Sequence, residues 1–291
     1  MKECKTNKSS IEIAECLASA FKYAFQLDKN DISDVSVYDC DKLKVYFKEW
    51  RKDYQKQHLL AGDVEYLFFN IVVAADKFAE QLKYIVSMRK HKITLSEGMY
   101  QQLFINFLEI FGLKVHGFSD IPSQSLQIGQ KIFTSLPDVL VFDQEGTDTL
   151  QNVIAVIEVK RDYGKLEEIR ETMETRSPKK KFKQELIQNR QYRHISDSLI
   201  GQHGGELVSY LCRSVFEDRG LYGIIVQATK ITFTSIVPEE NYLEKLASGC
   251  LEEKAAEINI SEEGNFLSRE GRKMLFDPLL KLVLLLRFKY S

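Results

Sequence analysis

The sequence predicts an α/β fold in which a mixed central sheet is flanked by helices. Two apolar runs, at residues 138–143 and 152–160, have the consecutive hydrophobic pattern of strands that are covered on both faces. Around them, apolar residues recur every three or four positions, which is typical of amphipathic helices. With 291 residues, 44% of them hydrophobic, the chain is long enough for one large domain or two ordinary ones. We therefore expect a packed core rather than a disordered chain.

Residues 1–92 are predicted to form a helical N-terminal region. From residue 11 onward apolar positions follow helical spacing, as in Ile11, Ala14, Ala18 and Phe21, and strand signals are scarce. Two roles are open for this region. It either covers an apolar face of the rest of the chain or acts as a module for a substrate or a protein partner.

A helix is predicted at residues 96–112. It begins at Ser96, a residue type favoured at helix N-caps, and ends near Gly112, where a helix stop belongs. Its apolar side chains form one continuous stripe that we expect to be buried. The stripe consists of Tyr100, Leu103, Phe104, Phe107, Leu108 and Phe111.

The segment KVHGF and a loop containing Pro122 lead from this helix to the two apolar strands. A loop centred on Gly146 joins the strands, so an antiparallel hairpin is the expected connection. Because side chains alternate along a strand, Glu158 and Lys160 project from the same face, and the neighbouring strand can bring Asp138 beside them.

A charged stretch follows the second strand. Residues 160–194 contain 11 Lys and Arg against 6 Asp and Glu. Six of these cations could bind a phosphate backbone without reading its sequence. They are Lys179, Lys180, Lys181, Lys183, Arg190 and Arg193. A solvated loop or a targeting patch explains the same charges equally well.

The remaining elements alternate again. A helix is predicted at residues 198–220, two short strands or one bent strand at 222–237, and helical structure from 239 to the end. We expect residues 238–291 to form a helical extension that packs on the core.

Asp138, Glu158 and Lys160 would place two carboxylates and an ammonium group at one edge of the sheet. Two adjacent buried carboxylates destabilise each other unless a cation neutralises them, and a divalent cation that prefers oxygen ligands does this best. The predicted cofactor is therefore Mg²⁺, with Mn²⁺ as a substitute. The point charge of Lys160 can stabilise negative charge that develops on phosphate oxygens.

The order Pro137-Asp138, then Glu158-Val159-Lys160 at the end of an apolar strand, resembles the PD-(D/E)xK nuclease superfamily. The resemblance implies a restriction-endonuclease-like core over residues 93–237 and hydrolysis of phosphodiester bonds by a metal-activated water. It also implies that Asp138, Glu158 and the carbonyl group of Val159 bind the metal, and that Lys160 is the catalytic lysine. The order of motifs is also similar to that of eukaryotic crinkler-type or mobile-element nucleases.

The resemblance implies two further site residues. Relatives often carry a metal-binding glutamate on the first helix, and Glu97 lies about 50° from the centre of the aromatic stripe, whereas Glu109 lies nearly opposite. Relatives also place a glutamine on the helix after the second strand, and Gln202 occupies the similar position. A glutamine on a polar stripe facing water is an equally good interpretation of Gln202.

The predicted function is a Mg²⁺-dependent nuclease that acts on DNA, with RNA left open as a substrate. The alternative is a catalytically inactive protein with the nuclease fold that binds nucleic acid or serves as a scaffold in a larger assembly. A homodimer, or a protein partner bound through the N-terminal helices, fits either function.

Other classes of protein are disfavoured by what the sequence lacks. It contains no HExxH, GxGxxG or GxxxxGK[ST] motif and no CxxC pair among its five cysteines. Its longest apolar runs, at residues 66–75 and 279–286, are shorter than the roughly 20 residues of a transmembrane helix. The opening sequence MKECKTNKSS has no apolar segment of the secretory type, so we expect a nuclear or cytoplasmic protein.

Overall fold

The computed structural model describes residues 52, 63–117, 121–142, 152–161, 195–250 and 256–288. Its helices are α1 (Asp63–Lys90), α2 (Glu97–Ile110), α3 (Asp197–Tyr210), α4 (Tyr242–Ser248) and α5 (Arg269–Phe288). Its strands are β1 (Lys114–Gly117), β2 (Gln124–Ile128), β3 (Lys131–Ser135), β4 (Val139–Phe142), β5 (Val153–Lys160), β6 (Leu221–Gln227), β7 (Lys230–Pro238) and β8 (Ala256–Asn265).

The central sheet has six strands in the order β1-β4-β5-β6-β7-β8. Strands β5 and β6 are parallel, and every other neighbouring pair is antiparallel. Strands β2 and β3 form a separate two-stranded antiparallel sheet. The predicted α/β class with a mixed central sheet is therefore confirmed.

Helices cover both faces of this sheet. On one face, α1, α2 and α5 share a hydrophobic cluster with Ile157 and Val159 of β5 and with Val226 of β6. On the other face, Leu207 and Tyr210 of α3 pack with Leu140 of β4 and Val156 of β5 in a second cluster. A strand covered on both faces needs apolar residues at consecutive positions, which accounts for the sequence VIAVI in β5.

Helix α2 confirms the predicted stripe, because all six of its aromatic and leucine side chains are buried. Phe107 lies at the centre of an aromatic group, with its ring centroid 5.1 Å from that of Phe266 and 5.4 Å from that of Phe111. Burying a side chain of this size stabilises a fold by about 2–3 kcal/mol. The stripe thus fixes α2, and with it Glu97 at the first helical position, against the sheet.

The two apolar runs form the expected antiparallel hairpin, with Val139 opposite Ile157 and a register shift between Val141 and Phe142. The prediction for residues 222–237 is resolved as two strands, β6 and β7, which pair antiparallel. Of the predicted N-terminal helical region, α1 is described, and the pattern from Ile11 to Phe21 lies outside the described residues. No helix of the described ranges is both long and apolar enough to cross a membrane.

Three predictions of local structure are wrong. The loop with Pro122 contains the hairpin β2–β3, because Gly129, with φ of 57°, turns the chain between two alternating segments. The helix predicted at 198–220 ends as an α-helix at Tyr210 and continues into two short 3₁₀ turns. The helical prediction for 239–291 fails at β8, where pairing along β7 overrides the helix propensity of a glutamate-rich segment.

Candidate active site

The predicted site residues come from four elements that meet at one end of the sheet. Asp138 lies directly before β4, and Glu158 and Lys160 lie at the C-terminal end of β5. Glu97 is the first residue of α2, and Gln202 lies within α3. The structure therefore brings together the five side chains that were predicted to form the catalytic site.

The Lys160 ammonium group is at the centre of this arrangement. Its Nζ lies 3.4 Å from Glu97 Oε1 and 4.0 Å from Asp138 Oδ2, and it forms an ion pair with Glu158 Oε1. Three carboxylates from three separate elements thus share one cation. The spacing of the two motifs predicted that Asp138, Glu158 and Lys160 would meet, and Glu97 lies where the family resemblance implied it.

Two hydrogen bonds hold Asp138 in place, one to its carboxylate and one to its carbonyl oxygen. The Val159 N–H donates a 2.8 Å hydrogen bond to Asp138 Oδ2, which fixes the carboxylate against β5. The Gln101 side-chain amide, one turn after Glu97 on α2, donates to the Asp138 carbonyl oxygen at 2.5 Å. The side chain of Val159 points into the core on the opposite face, consistent with the alternation along the strand.

Gln202 faces the site even though helix α3 is continuous from Asp197. Its Nε2 donates to Glu158 Oε1 at 2.5 Å and to Glu206 Oε1 at 3.2 Å. Gln202 is also exposed to solvent, so its side chain lies at the edge of the site.

Glu206 is a buried carboxylate of the site that the sequence did not single out. It is 4% exposed, compared with 1% for Glu158. The only sequence signal for it is its spacing of four residues from Gln202, which places both side chains on one face of a helix. We call Asp138, Glu158 and Glu206 together the carboxylate cluster.

Burial and mutual repulsion disfavour the ionised forms of this cluster. Burial first, and then the charges of Glu206 and Asp138, raise the pKa of Glu158 well above its ordinary value, even though Lys160 acts in the opposite direction. Burial likewise raises the pKa of Glu206 to about 7, against the lowering effect of its hydrogen bonds to Glu158 and Gln202. One ammonium group does not compensate this much buried acidity.

Lys160 remains a cation in this environment. Partial burial alone would lower its pKa, but the hydrogen bond to Glu158 and the charges of Glu158, Asp138 and Glu97 together raise it. The lysine therefore carries its proton at neutral pH. It can donate hydrogen bonds and offer positive charge, but it is a poor proton acceptor.

The chemistry of the donor set fits a hard divalent cation. Carboxylate oxygens are the ligands that Mg²⁺ and Mn²⁺ prefer, and a second cation would stabilise the ionised form of Glu158, which burial and the neighbouring carboxylates disfavour. Among the residues that the structure describes, no three His, Cys, Asp or Glu side chains are already spaced as metal ligands. The carboxylates are instead oriented toward the Lys160 ammonium group.

A second buried polar group lies on the same helix. His203 is 1% exposed, and its Nε2 lies 2.8 Å from Thr234 Oγ1 on β7. Both side chains pass over Gly223 of β6, where a Cβ atom would collide with them. Burial lowers the pKa of His203 to about 4, so the imidazole is neutral. We call His203 and Thr234 the histidine pair.

The basic segment predicted to contact phosphates lies outside the described residues. This applies to Lys179, Lys180, Lys181, Lys183, Arg190 and Arg193.

Comparison of the chain with protein-family models, with curated proteins and with solved structures found no match.

Proposed function

We propose that this protein is a metal-dependent nuclease with a restriction-endonuclease-like core, and that it hydrolyses phosphodiester bonds in DNA. RNA is a second candidate substrate. The observation that supports this most is that Asp138 and Glu158 meet at the Lys160 ammonium group. Glu97 and Gln202 lie at the edge of this group of side chains. The order α2, hairpin β4–β5, α3 and β6 also agrees with the order of elements in that superfamily.

In the proposed enzyme, Asp138, Glu158, Glu97 and the carbonyl oxygen of Val159 hold Mg²⁺, or Mn²⁺ in its place. A bound Mg²⁺ would supply a Lewis acid that makes water nucleophilic at neutral pH. The chain orients its own ligands before any ion binds. The Val159 N–H fixes Asp138, and the Gln202 amide fixes Glu158.

Lys160 acts in this proposal as a fixed positive charge. The hydrogen bond to Glu158 and the surrounding carboxylates raise the pKa of Lys160 and so favour its ammonium form. This group can donate hydrogen bonds to the phosphate oxygens, where negative charge develops in the transition state.

The proposed substrate determines where the protein acts. We expect it to work in the nucleus or the cytoplasm, where nucleic acid is accessible. A homodimer would allow two sites to cut both strands of a duplex, and a protein partner bound through the N-terminal helices would direct the site to particular substrates.

Cleavage assays with paired variants test this function. Labelled DNA duplexes, single strands and RNA are incubated with Mg²⁺ or Mn²⁺, using the wild type and the variants Glu158→Gln, Lys160→Gln and Glu97→Gln. We expect Glu158→Gln and Lys160→Gln each to lower the rate by about 100-fold or more. Glu109→Gln, on the same helix as Glu97 but paired with Lys77, is the matched control and should cleave normally.

Equal cleavage by the wild type and by Glu158→Gln would refute the proposal, as would the absence of cleavage of every substrate in both metals. Salt-dependent binding of nucleic acid without cleavage would instead support the inactive binding or scaffold protein. Activity lost equally in Glu109→Gln would show that the variants act through folding rather than through the site.

A further inference from the structure

A cavity of about 350 Å³ lies beside the candidate active site. It is lined by the end of α1, the connection from α1 to α2, helix α2 and the residue after β5. Arg161, which lines it, directly follows Lys160 in the chain. Tyr100, which also lines it, lies one helical turn after Glu97 on α2. The cavity and the candidate site therefore share two of their walls.

The cavity is strongly basic in a chain whose net charge is −2. Arg89, Lys92 and Arg161 line it from three different segments, and no carboxylate is among its lining residues. Neither Arg89 nor Lys92 is paired with a carboxylate of the described residues. By comparison, the open cavity between α1 and α2 is lined by acidic and basic residues together, so the charge of the first cavity is not a general property of the surface.

Lys92 lies in the C-terminal cap of α1. Its backbone has φ of 58°, and the N–H groups of Lys92 and Ile93 donate to the carbonyl oxygens of Arg89 and Met88, which is a common left-handed end of a helix. The dipole of α1 accounts for basic residues in its last turn, but it does not account for Arg161, which belongs to another element.

The wall of the cavity behind these cations is apolar. Leu95 and Tyr100 are buried there, while Ile93 at its edge is 45% exposed. Cations in front of an apolar wall suit a ligand that combines an anionic group with a less polar body, as a sugar-phosphate does. The planar guanidinium groups match the oxygens of a phosphate, to which arginine can donate two hydrogen bonds at once.

We propose that the cavity lined by Arg89, Lys92 and Arg161 binds a phosphate group of a nucleic-acid strand next to the one held at the candidate active site. The phosphate is either an internal one of the backbone or the terminal one of a strand end. This inference rests on the proposed function for the identity of the neighbouring site, but the binding itself requires no metal.

Oligonucleotide binding without divalent cations tests the cavity by itself. The full chain is titrated in EDTA against a short fluorescent DNA strand, carrying either a 5′-hydroxyl or a 5′-phosphate, at several salt concentrations. We expect Arg89→Gln and Lys92→Gln each to weaken binding severalfold and to reduce the salt-dependence slope by about 1. Lys90→Gln is the matched control, because Lys90 is exposed in the same turn of α1 but does not line the cavity.

The two strand ends identify the phosphate. Equal weakening for both oligonucleotides indicates an internal phosphate, and weakening confined to the 5′-phosphorylated strand indicates a terminal one; both support the site. Variants of Arg89 and Lys92 that bind like Lys90→Gln, or a wild type that binds neither strand, would overturn it. Because the substituted side chains are exposed, we expect the variants to unfold at the same temperature as the wild type. That result excludes a loss of fold as the cause of weaker binding.

The same variants separate this proposal from the nuclease proposal. If the wild type cuts no substrate but the binding still depends on Arg89 and Lys92, only the nuclease proposal fails. If the wild type cleaves while both cavity variants match the Lys90 control in binding, only the phosphate site fails.

Discussion

Helix α3 contributes one buried residue to each of two polar groups. Glu206 belongs to the carboxylate cluster at the end of β5, and His203 belongs to the histidine pair above β6. Both side chains are buried, and His203 Nδ1 lies 3.6 Å from Glu206 Oε2. The groups differ in charge, because the histidine pair is neutral at physiological pH whereas the cluster contains several acids around one lysine.

The two groups differ in how burial affects the free energy of their polar atoms. A neutral imidazole carries no charge that must be desolvated, and the hydrogen bond of His203 Nε2 to Thr234 satisfies one of its two nitrogens. Buried carboxylates that repel one another lower stability, and in the proposed function their charge would be used to bind a metal. We therefore expect the two groups to respond in opposite directions when their charges are changed.

The largest effect is expected from protonation of the histidine pair. Burial lowers the pKa of His203 from 6.5 to about 4 in the fold. The stability that the neutral imidazole contributes is therefore fully present above pH 6.5 and is lost as the pH falls toward 4. This loss should amount to about 3 kcal/mol. Between neutral pH and about pH 4, the wild type should lose this stability in addition to any loss that both proteins share. His203→Gln cannot take up the proton, so its free energy of unfolding in urea should fall by about 3 kcal/mol less than that of the wild type over the same range. A constant difference between variant and wild type across this range would contradict the buried neutral histidine.

A somewhat smaller effect tests the space that this pair requires. In Gly223→Ala, the new Cβ atom would collide with the His203 ring and with Thr234 Oγ1. We expect the free energy of unfolding to fall by about 1–3 kcal/mol. Gly205→Ala is the control, because no atom lies within 4 Å of its Cβ position on α3, and it should be neutral or stabilising by up to about 1 kcal/mol. Equal effects of the two substitutions would show that α3 does not pack on β6 in this way.

The smallest effect has the opposite sign and belongs to the carboxylate cluster. Glu206→Gln removes one buried acid, whose raised pKa means that its ionised form destabilises the fold above about pH 7. We expect the free energy of unfolding in EDTA to rise by on the order of 1 kcal/mol there, because part of the repulsion is already relieved by proton uptake at Glu158. The control Glu109→Gln, which removes an acid from an ion pair at the surface, should give no such gain. A loss of stability in Glu206→Gln would mean that the acid is structural.

The elements that hold the site could be predicted from sequence because their signals are local. The stripe from Tyr100 to Phe111 specifies both the existence of α2 and its buried face. The apolar runs of β4 and β5 specify strands covered on two sides, and alternation then places Glu158 and Lys160 together. In each case a periodic pattern of burial coincides with the intrinsic preference of the residues.

The parts that were missed depend on long-range pairing. Strand β8 is rich in glutamate, and its one strand signal, the alternation of Ala256, Ile258 and Ile260 with polar residues, gains meaning only from its partner β7. Glu206 has no motif of its own and becomes part of the site because α3 packs across the sheet beside Glu158. Sequence spacing relates residues within an element, whereas the choice of facing elements is made by the tertiary fold.

The most direct test of the central claim is calorimetric titration of the wild type with Mn²⁺. The proposed site requires that Asp138 and Glu158 bind one hard cation together, independently of any substrate. We predict saturable binding to the wild type and to the control Glu109→Gln, and no binding to Asp138→Asn or Glu158→Gln with the fold intact. Wild-type protein that binds no Mn²⁺, or Asp138→Asn that binds it as tightly as the wild type, would contradict the metal-dependent site.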